Sequence, residues 1–143
     1  MNSQSTIDET KLNEFMGKML GDMGAAMNAA LVLLGDELGL WKAMAGAGPL
    51  TADQLAEKTA TFPRYVREWL SAQAASGYVT YDARTQTFTL PPEQALVFAH
   101  ESSPVFFFFF FERIRSVMLD EPKIREAFKS GAGVGWHEHS PHL

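Results

Sequence analysis

His137, Glu138, His139 and His142 bring three imidazoles and a carboxylate into the last seven residues of the chain, and these are groups that zinc and nickel accept as ligands. Neighbours at i and i+2 can converge from an extended backbone. A terminal tail, however, has no visible outer shell to orient the rings, so the pattern reads as adventitious metal capture, and no metal residue is assigned. Just upstream, Gly131-Ala132-Gly133-Val134-Gly135 has the glycine spacing of a nucleotide-binding turn. Such a turn aims backbone N–H groups at a ligand from between a strand and a helix. Here a helical stretch precedes it and little chain follows, so a helix cap and flexible link are expected. The sequence contains no cysteine, no serine in an elbow motif and no pair of carboxylates in an evident cleft, so no catalytic or cofactor-binding residue is assigned either.

Arg64, Arg67 and Arg84 are the candidate contacts for nucleic acid, because arginines on a helix-turn-helix and its wing neutralise phosphates. Between residues 51 and 90, however, Lys58, Arg64, Arg67 and Arg84 are balanced by Asp53, Glu57, Glu68 and Asp82. Arg64 and Glu68 stand at i, i+4 and are expected to pair with each other. A neutral module of this kind is expected to serve packing or dimerisation, and DNA is not the expected partner. The whole chain carries 12 Lys+Arg against 17 Asp+Glu, a net charge of −5 that gives no general attraction to polyanions.

Six consecutive phenylalanines, 106–111, form the third notable feature. Each offers on the order of 150–250 Å² for burial, so something must cover them. With Val105 they make the longest unbroken apolar run, far short of the roughly 20 residues that span a membrane. Phe107, Phe111, Trp136, His137 and His139 are the candidate residues of a ligand pocket or lid.

The elements that would position these groups follow from local signals. Thr10 can cap a long helix whose apolar residues, Leu12, Phe15, Met16, Met19, Leu20, Met23, Met27, Leu31, Leu34 and Leu38, recur at three- and four-residue steps and commit one face to a core. Across residues 25–34 the opposite face is apolar as well, so this part of the helix must be covered on all sides by a second chain or another domain. Met23, Met27, Leu31 and Leu34 are therefore expected near a dimer interface. Gly17, Gly21 and Gly24 make a stripe that either admits a second backbone or bends the helix near Gly21. Gly39 reads as a cap, residues 40–45 as a short helix, and 46–49 as a break. Thr51-Ala52-Asp53-Gln54 has capping-box form and opens a helix over 54–59. Pro63 suits the first turn of the next helix, which stops near Gly77. Residues 78–81 and 87–90 read as a hairpin. Glu93 to Phe98 can make a helical turn, 105–119 reads as a helix although the phenylalanine run alone would equally permit a buried strand, and Glu121-Pro122 is the start of a last helix through Lys129, ended by Gly131. The predicted fold is mainly α with a small β-hairpin, a winged helix-turn-helix with a long N-terminal helix and C-terminal helices.

At Arg64-Tyr65-Val66-Arg67-Glu68-Trp69-Leu70, then Ser76-Gly77-Tyr78-Val79 and Leu90-Pro91-Pro92-Glu93, the sequence resembles the N-terminal winged-helix region of bacterial class I S-adenosylmethionine-dependent methyltransferases, a branch often labelled as transcriptional regulators. The likeness extends from Phe15-Met16-Gly17-Lys18-Met19-Leu20 through Leu38-Gly39-Leu40-Trp41 to Gly133-Val134-Gly135-Trp136-His137-Glu138-His139. It implies a helical dimerisation domain over 1–99 and, over 100–143, a linker and lid leading toward a catalytic domain. S-adenosylmethionine is then implied for a full-length relative, while no position in this chain matches the family's cofactor-binding or catalytic residues.

The leading expectation is a homodimer that forms the dimerisation and substrate-lid portion of such an enzyme. The alternatives are a DNA-binding regulator and a stand-alone binder of an apolar small molecule. The polar, acidic N-terminus resembles no secretory signal, and the chain needs no oxidising compartment, so a cytoplasmic address is expected.

Overall fold

The computed structural model describes residues 7–141, so His142 lies outside the described residues. Helix α1 spans Glu9–Glu37 and is capped by Asp8 rather than Thr10. The Asp8 carboxylate accepts the N–H groups of Thr10 and Lys11 at 3.0 and 3.2 Å and places negative charge at the positive end of the helix dipole, which leaves Thr10 inside the first turn. The helix runs unbroken through Gly17, Gly21 and Gly24, so the bend considered near Gly21 does not form. Leucine, methionine and alanine around the glycines supply enough propensity to carry the helix through. Gly39, at φ 69°, takes the left-handed position that ends α1 and starts α2 (Leu40–Met44).

The Thr51 capping box forms as the sequence predicts. Gln54 N–H donates to Thr51 Oγ1 at 3.2 Å, and Gln54 Oε1 accepts from Thr51 N–H at 2.8 Å. It opens α3 (Ala52–Thr59), and Pro63 opens α4 (Pro63–Ala75). The hairpin strands are β1 (Thr80–Asp82) and β2 (Thr87–Thr89), paired antiparallel with Thr80 opposite Thr89. Tyr78 and Val79 stay out of the first strand because their N–H groups turn back to Gln73 O at the end of α4. Leu50 exchanges both backbone hydrogen bonds with Phe88, at 2.9 and 2.8 Å, and so joins the far side of β2.

Helix α5 (Pro92–Phe98) leads to α6 (Phe108–Ser130). The two C-terminal helices expected from Pro122 are one, because an interior proline removes a single N–H and the flanking residues 117–119 and 123–127 hold the helix on both sides. The start moves from residue 105 to Phe108, since Val105 N–H and Phe106 N–H are held by the Ser103 hydroxyl and carbonyl in a turn. Gly131, at φ 73°, ends α6, and a 3₁₀ turn covers Trp136–Glu138.

The core gathers where α1, α2, α4 and α5 meet. Trp41 stacks on Phe98 at 4.6 Å and meets Trp69 edge-on at 4.6 Å. Both indoles donate to α1 carbonyls, Trp41 Nε1 to Val32 O at 3.0 Å and Trp69 Nε1 to Leu31 O at 2.8 Å. Gln73, fully buried, donates to Asn28 Oδ1 at 2.9 Å. The phenylalanine run divides by helical phase. Phe106, Phe108 and Phe111 pack against the core, while Phe107, Phe109 and Phe110 form an exposed stack with centroids 4.4 to 6.3 Å apart.

Candidate functional site

Every residue from 7 to 27 is exposed, whichever way it points along α1. Only the last third of the helix is buried, through Asn28, Ala29, Val32, Leu33 and Gly35. The apolar row expected to face a core is uncovered by this chain over its first five turns: Leu12, Phe15, Met16, Met19, Leu20, Met23 and Met27 are all exposed, Met27 at 72%. Of the four residues expected at an interface, Met23, Met27 and Leu34 are exposed, and Leu31 is half-buried against the core.

The open arm of α1 runs into a shallow groove of about 270 Å³ where α1 meets α6, floored by Ala26, Ala29, Ala30 and Leu33 and walled by Ile114, Met118 and Leu119. Arg115 borders it and is tied to Glu37 of α1 at 2.5 Å. This bond raises the guanidinium's affinity for its proton. Nearby on α1, burial raises the Asp36 carboxyl above its ordinary range, and the charges of Glu101, Glu112 and Glu37 push the same way against Lys42. Lys42 itself pairs with Glu101 at 2.5 Å.

A second groove, of about 560 Å³, lies between α3, α4 and the wing. Arg67 lines it and pairs with Asp53 of α3 at 3.7 Å. The expected Arg64–Glu68 pair does not form; the packing of α3 on α4 places Asp53 within reach of Arg67 instead. Arg64 and Arg84 are exposed, one on α4 and the other in the hairpin turn, where its N–H donates to Asp82 Oδ1.

The five candidate pocket residues are not gathered around one cavity. Phe111 turns inward to Phe98, 6.0 Å between centroids, whereas Phe107 belongs to the exposed stack. Trp136 is 77% exposed, His137 is exposed, and His139 is half-buried with Nδ1 2.9 Å from Asp120 Oδ2. The α1–α6 groove and the wing groove are lined by other side chains. Asp120, 2% exposed, is the residue that sequence reasoning missed. Its partners Ser140 and His139 lie twenty and nineteen positions away, and only Lys123, at i+3, is a local sign of it. The Ser140 N–H and the Lys123 ammonium hold its carboxyl well below the ordinary carboxylate range, with His139 adding to them against the cost of burial. A depressed carboxyl contributes its stability fully above the ordinary aspartate value and loses it as pH falls below that value. Among the described residues no group of three or more His, Asp or Glu side chains is arranged to hold a metal. No helix among them is long and apolar enough to cross a membrane.

A capped short helix, a three-residue turn over 60–62, a longer helix packed against the first and a two-stranded wing define a winged helix-turn-helix. The family model described as the Rv2258c-like winged HTH domain matches residues 26–100, and the chain belongs to that family. No curated protein matches by sequence. Among solved structures, the chain is similar to PigF with SAH (TM-score 0.61, 16% identity, covering 90% of this chain and 35% of that one). It is also similar to the mitomycin 7-O-methyltransferase MmcR (0.64, 20% identity, 87% and 37%) and to human N-acetylserotonin methyltransferase in complex with SAM (0.63, 14% identity, 93% and 37%). At these identities the likeness establishes the fold, and the chain spans about a third of the length of each of these proteins. The 131–135 glycines follow a helix, not a strand, and run into a 3₁₀ turn, so their N–H groups are not set between strand and helix as a nucleotide turn requires.

Proposed function

We propose that this chain is the dimerisation and substrate-lid portion of an S-adenosylmethionine-dependent methyltransferase, not catalytic by itself. In this reading, residues 1–99 dimerise and 100–143 form the linker and lid. The observation that carries it is the first two thirds of α1, exposed on every face and carrying seven exposed large apolar side chains from Leu12 to Met27, in a chain whose fold matches about a third of several methyltransferases. An apolar arm of that length needs another surface. The α1–α6 groove, at about 270 Å³, falls just under the roughly 300–1,000 Å³ of enclosed ligand sites and is open to one side, so it does not by itself favour a stand-alone binder.

The test is the intact mass of the polypeptide made by its native source, followed by methyl transfer from labelled S-adenosylmethionine. A mass above 15.8 kDa by about a domain, with transfer by that longer product, is expected. A native product of 15.8 kDa that forms dimers and transfers nothing sinks the enzyme reading.

The winged fold itself favours a second reading, DNA binding, and charge separates the two. The Arg67–Asp53 pair and the neutral balance over 51–90 leave little excess cation on the wing face. Weak duplex binding that does not respond to Arg64→Ala with Arg67→Ala is expected by fluorescence anisotropy between about 50 and 200 mM salt. Tight binding whose salt slope drops by about two in the double variant would establish the regulator instead.

A further inference from the structure

We propose that Asp120 is a clasp that holds residues 135–140 in one conformation against α6, so that Trp136 and His137 are carried outward on a fixed turn. This rests on the geometry of the segment and not on the methyltransferase reading. Asp120 sits in the second half of α6 with only 2% of its surface exposed. A carboxylate withdrawn from water is tolerated only when donors replace the water, and here three groups do so. Ser140 N–H reaches both oxygens at 3.1 and 2.9 Å, His139 Nδ1 lies 2.9 Å from Oδ2, and Lys123 Nζ donates to Oδ1 at 3.0 Å. Two of the three come from the segment itself, so the buried acid is satisfied only when the segment is docked.

The remaining bonds close the loop. Lys123 Nζ also donates to the Glu138 carbonyl, and Glu138 Oε2 accepts from Gly135 N–H at 2.5 Å. The turn is thereby tied at its start through Gly135, at its middle through Glu138 and at its end through Ser140. An added Cβ at Gly135 would stand 2.7 Å from Glu138 Oε2 and 2.9 Å from His137 Cε1, so a larger residue there would displace the Glu138 carboxylate. Two further consequences follow. Asp120 fixes which imidazole nitrogen of His139 is engaged and leaves Nε2 turned away from the clasp. Trp136 projects into solvent, 77% exposed, with the His139 ring set edge-on to it at 6.2 Å between centroids. An indole on a mobile tail would lose this orientation, whereas on a tethered turn its ordering is complete before any surface meets it. Asp120 is thus a positioning residue.

The test is amide exchange and indole relaxation by NMR on the complete chain. In Asp120→Asn, exchange at Ser140 is expected to rise about tenfold or more and the Trp136 indole to become mobile, while amides of Leu55 and Leu70 keep their wild-type rates. His139→Ala and Lys123→Met each remove one partly exposed arm and are expected to loosen the segment by about two- to threefold. These two variants decide the matter if Asp120→Asn does not fold. The proposal is overturned if Ser140 and Trp136 behave as in the wild type in His139→Ala and Lys123→Met. It is equally overturned if Asp120→Asn speeds exchange at Leu70 as much as at Ser140, since the acid then supports the whole fold and not the turn.

Discussion

Gly35→Ala is expected to cost about 3 kcal/mol of stability, although it replaces a poor helix former by the best one. A Cβ at residue 35 would lie 2.4 Å from Trp69 Cζ2 and 2.7 Å from Trp41 Nε1. Neither ring can back away, because both indoles are anchored to the same helix by N–H bonds to Val32 O and Leu31 O, and Trp41 is also pinned between Trp69 and Phe98. Relieving the overlap therefore means breaking one of those bonds and leaving a buried N–H without an acceptor, about 1–3 kcal/mol, beyond the strain of overpacking. Against this the helix gains roughly 1 kcal/mol from losing a glycine. A fall of about 10 °C in the melting temperature is expected, measured in dilute solution by circular dichroism. Gly17→Ala is the control: its Cβ would meet nothing within 4 Å, so it should leave the melting temperature unchanged or higher. Equal melting temperatures for Gly35→Ala and the wild type would mean that the indoles do not seat on α1 as described.

The same residue marks where legibility from sequence ends. Elements whose cause is local were readable: the Thr51 capping box, Pro63 at the start of α4, Gly39 and Gly131 in left-handed positions, and the β-branched hairpin. The caps and the proline depend on residues within about four positions, and the hairpin closes within nine. The departures have distant causes. Leu50 joins Phe88 across thirty-eight positions, and α6 runs through Pro122 because its flanks hold it. The division of the six phenylalanines depends on where α6 begins, which the Ser103 turn sets. Gly35 looks like one more glycine in a helix until two tryptophans from other helices close on it, and Asp120 looks like a solvent carboxylate until Ser140 returns to it. The candidate site was legible as composition: the excess of apolar residues on α1 could be read, and the pairing of Arg67 with Asp53 could not.

Met23→Glu with Met27→Glu is expected to convert a dimer into a monomer with the fold intact. Both side chains are exposed, at 53% and 72%, so the single chain loses little when they become polar. In a two-fold dimer each substitution occurs twice, and an isologous contact brings the copies' identical patches together, which sets four new carboxylates near one axis. Nine large apolar side chains between Leu12 and Leu38 are 38–72% exposed. At on the order of 100 Å² each they offer about the 800 Å² per partner of a standard interface. Burying a methionine contributes roughly 1.5–3 kcal/mol, so losing two per chain and adding like-charge repulsion should weaken association at least about a hundredfold. Sedimentation equilibrium at tens of micromolar should therefore give a dimer for the wild type and a monomer for the double variant, both with native circular dichroism. Leu34→Glu should act in the same direction but less strongly, since that side chain is 42% exposed and lies closer to the chain's own core. A wild-type monomer at these concentrations would refute self-association and leave the arm to a different chain. A dimer that survives the double variant would move the interface off the middle of α1, to the exposed Phe107, Phe109 and Phe110 stack as the next largest apolar surface.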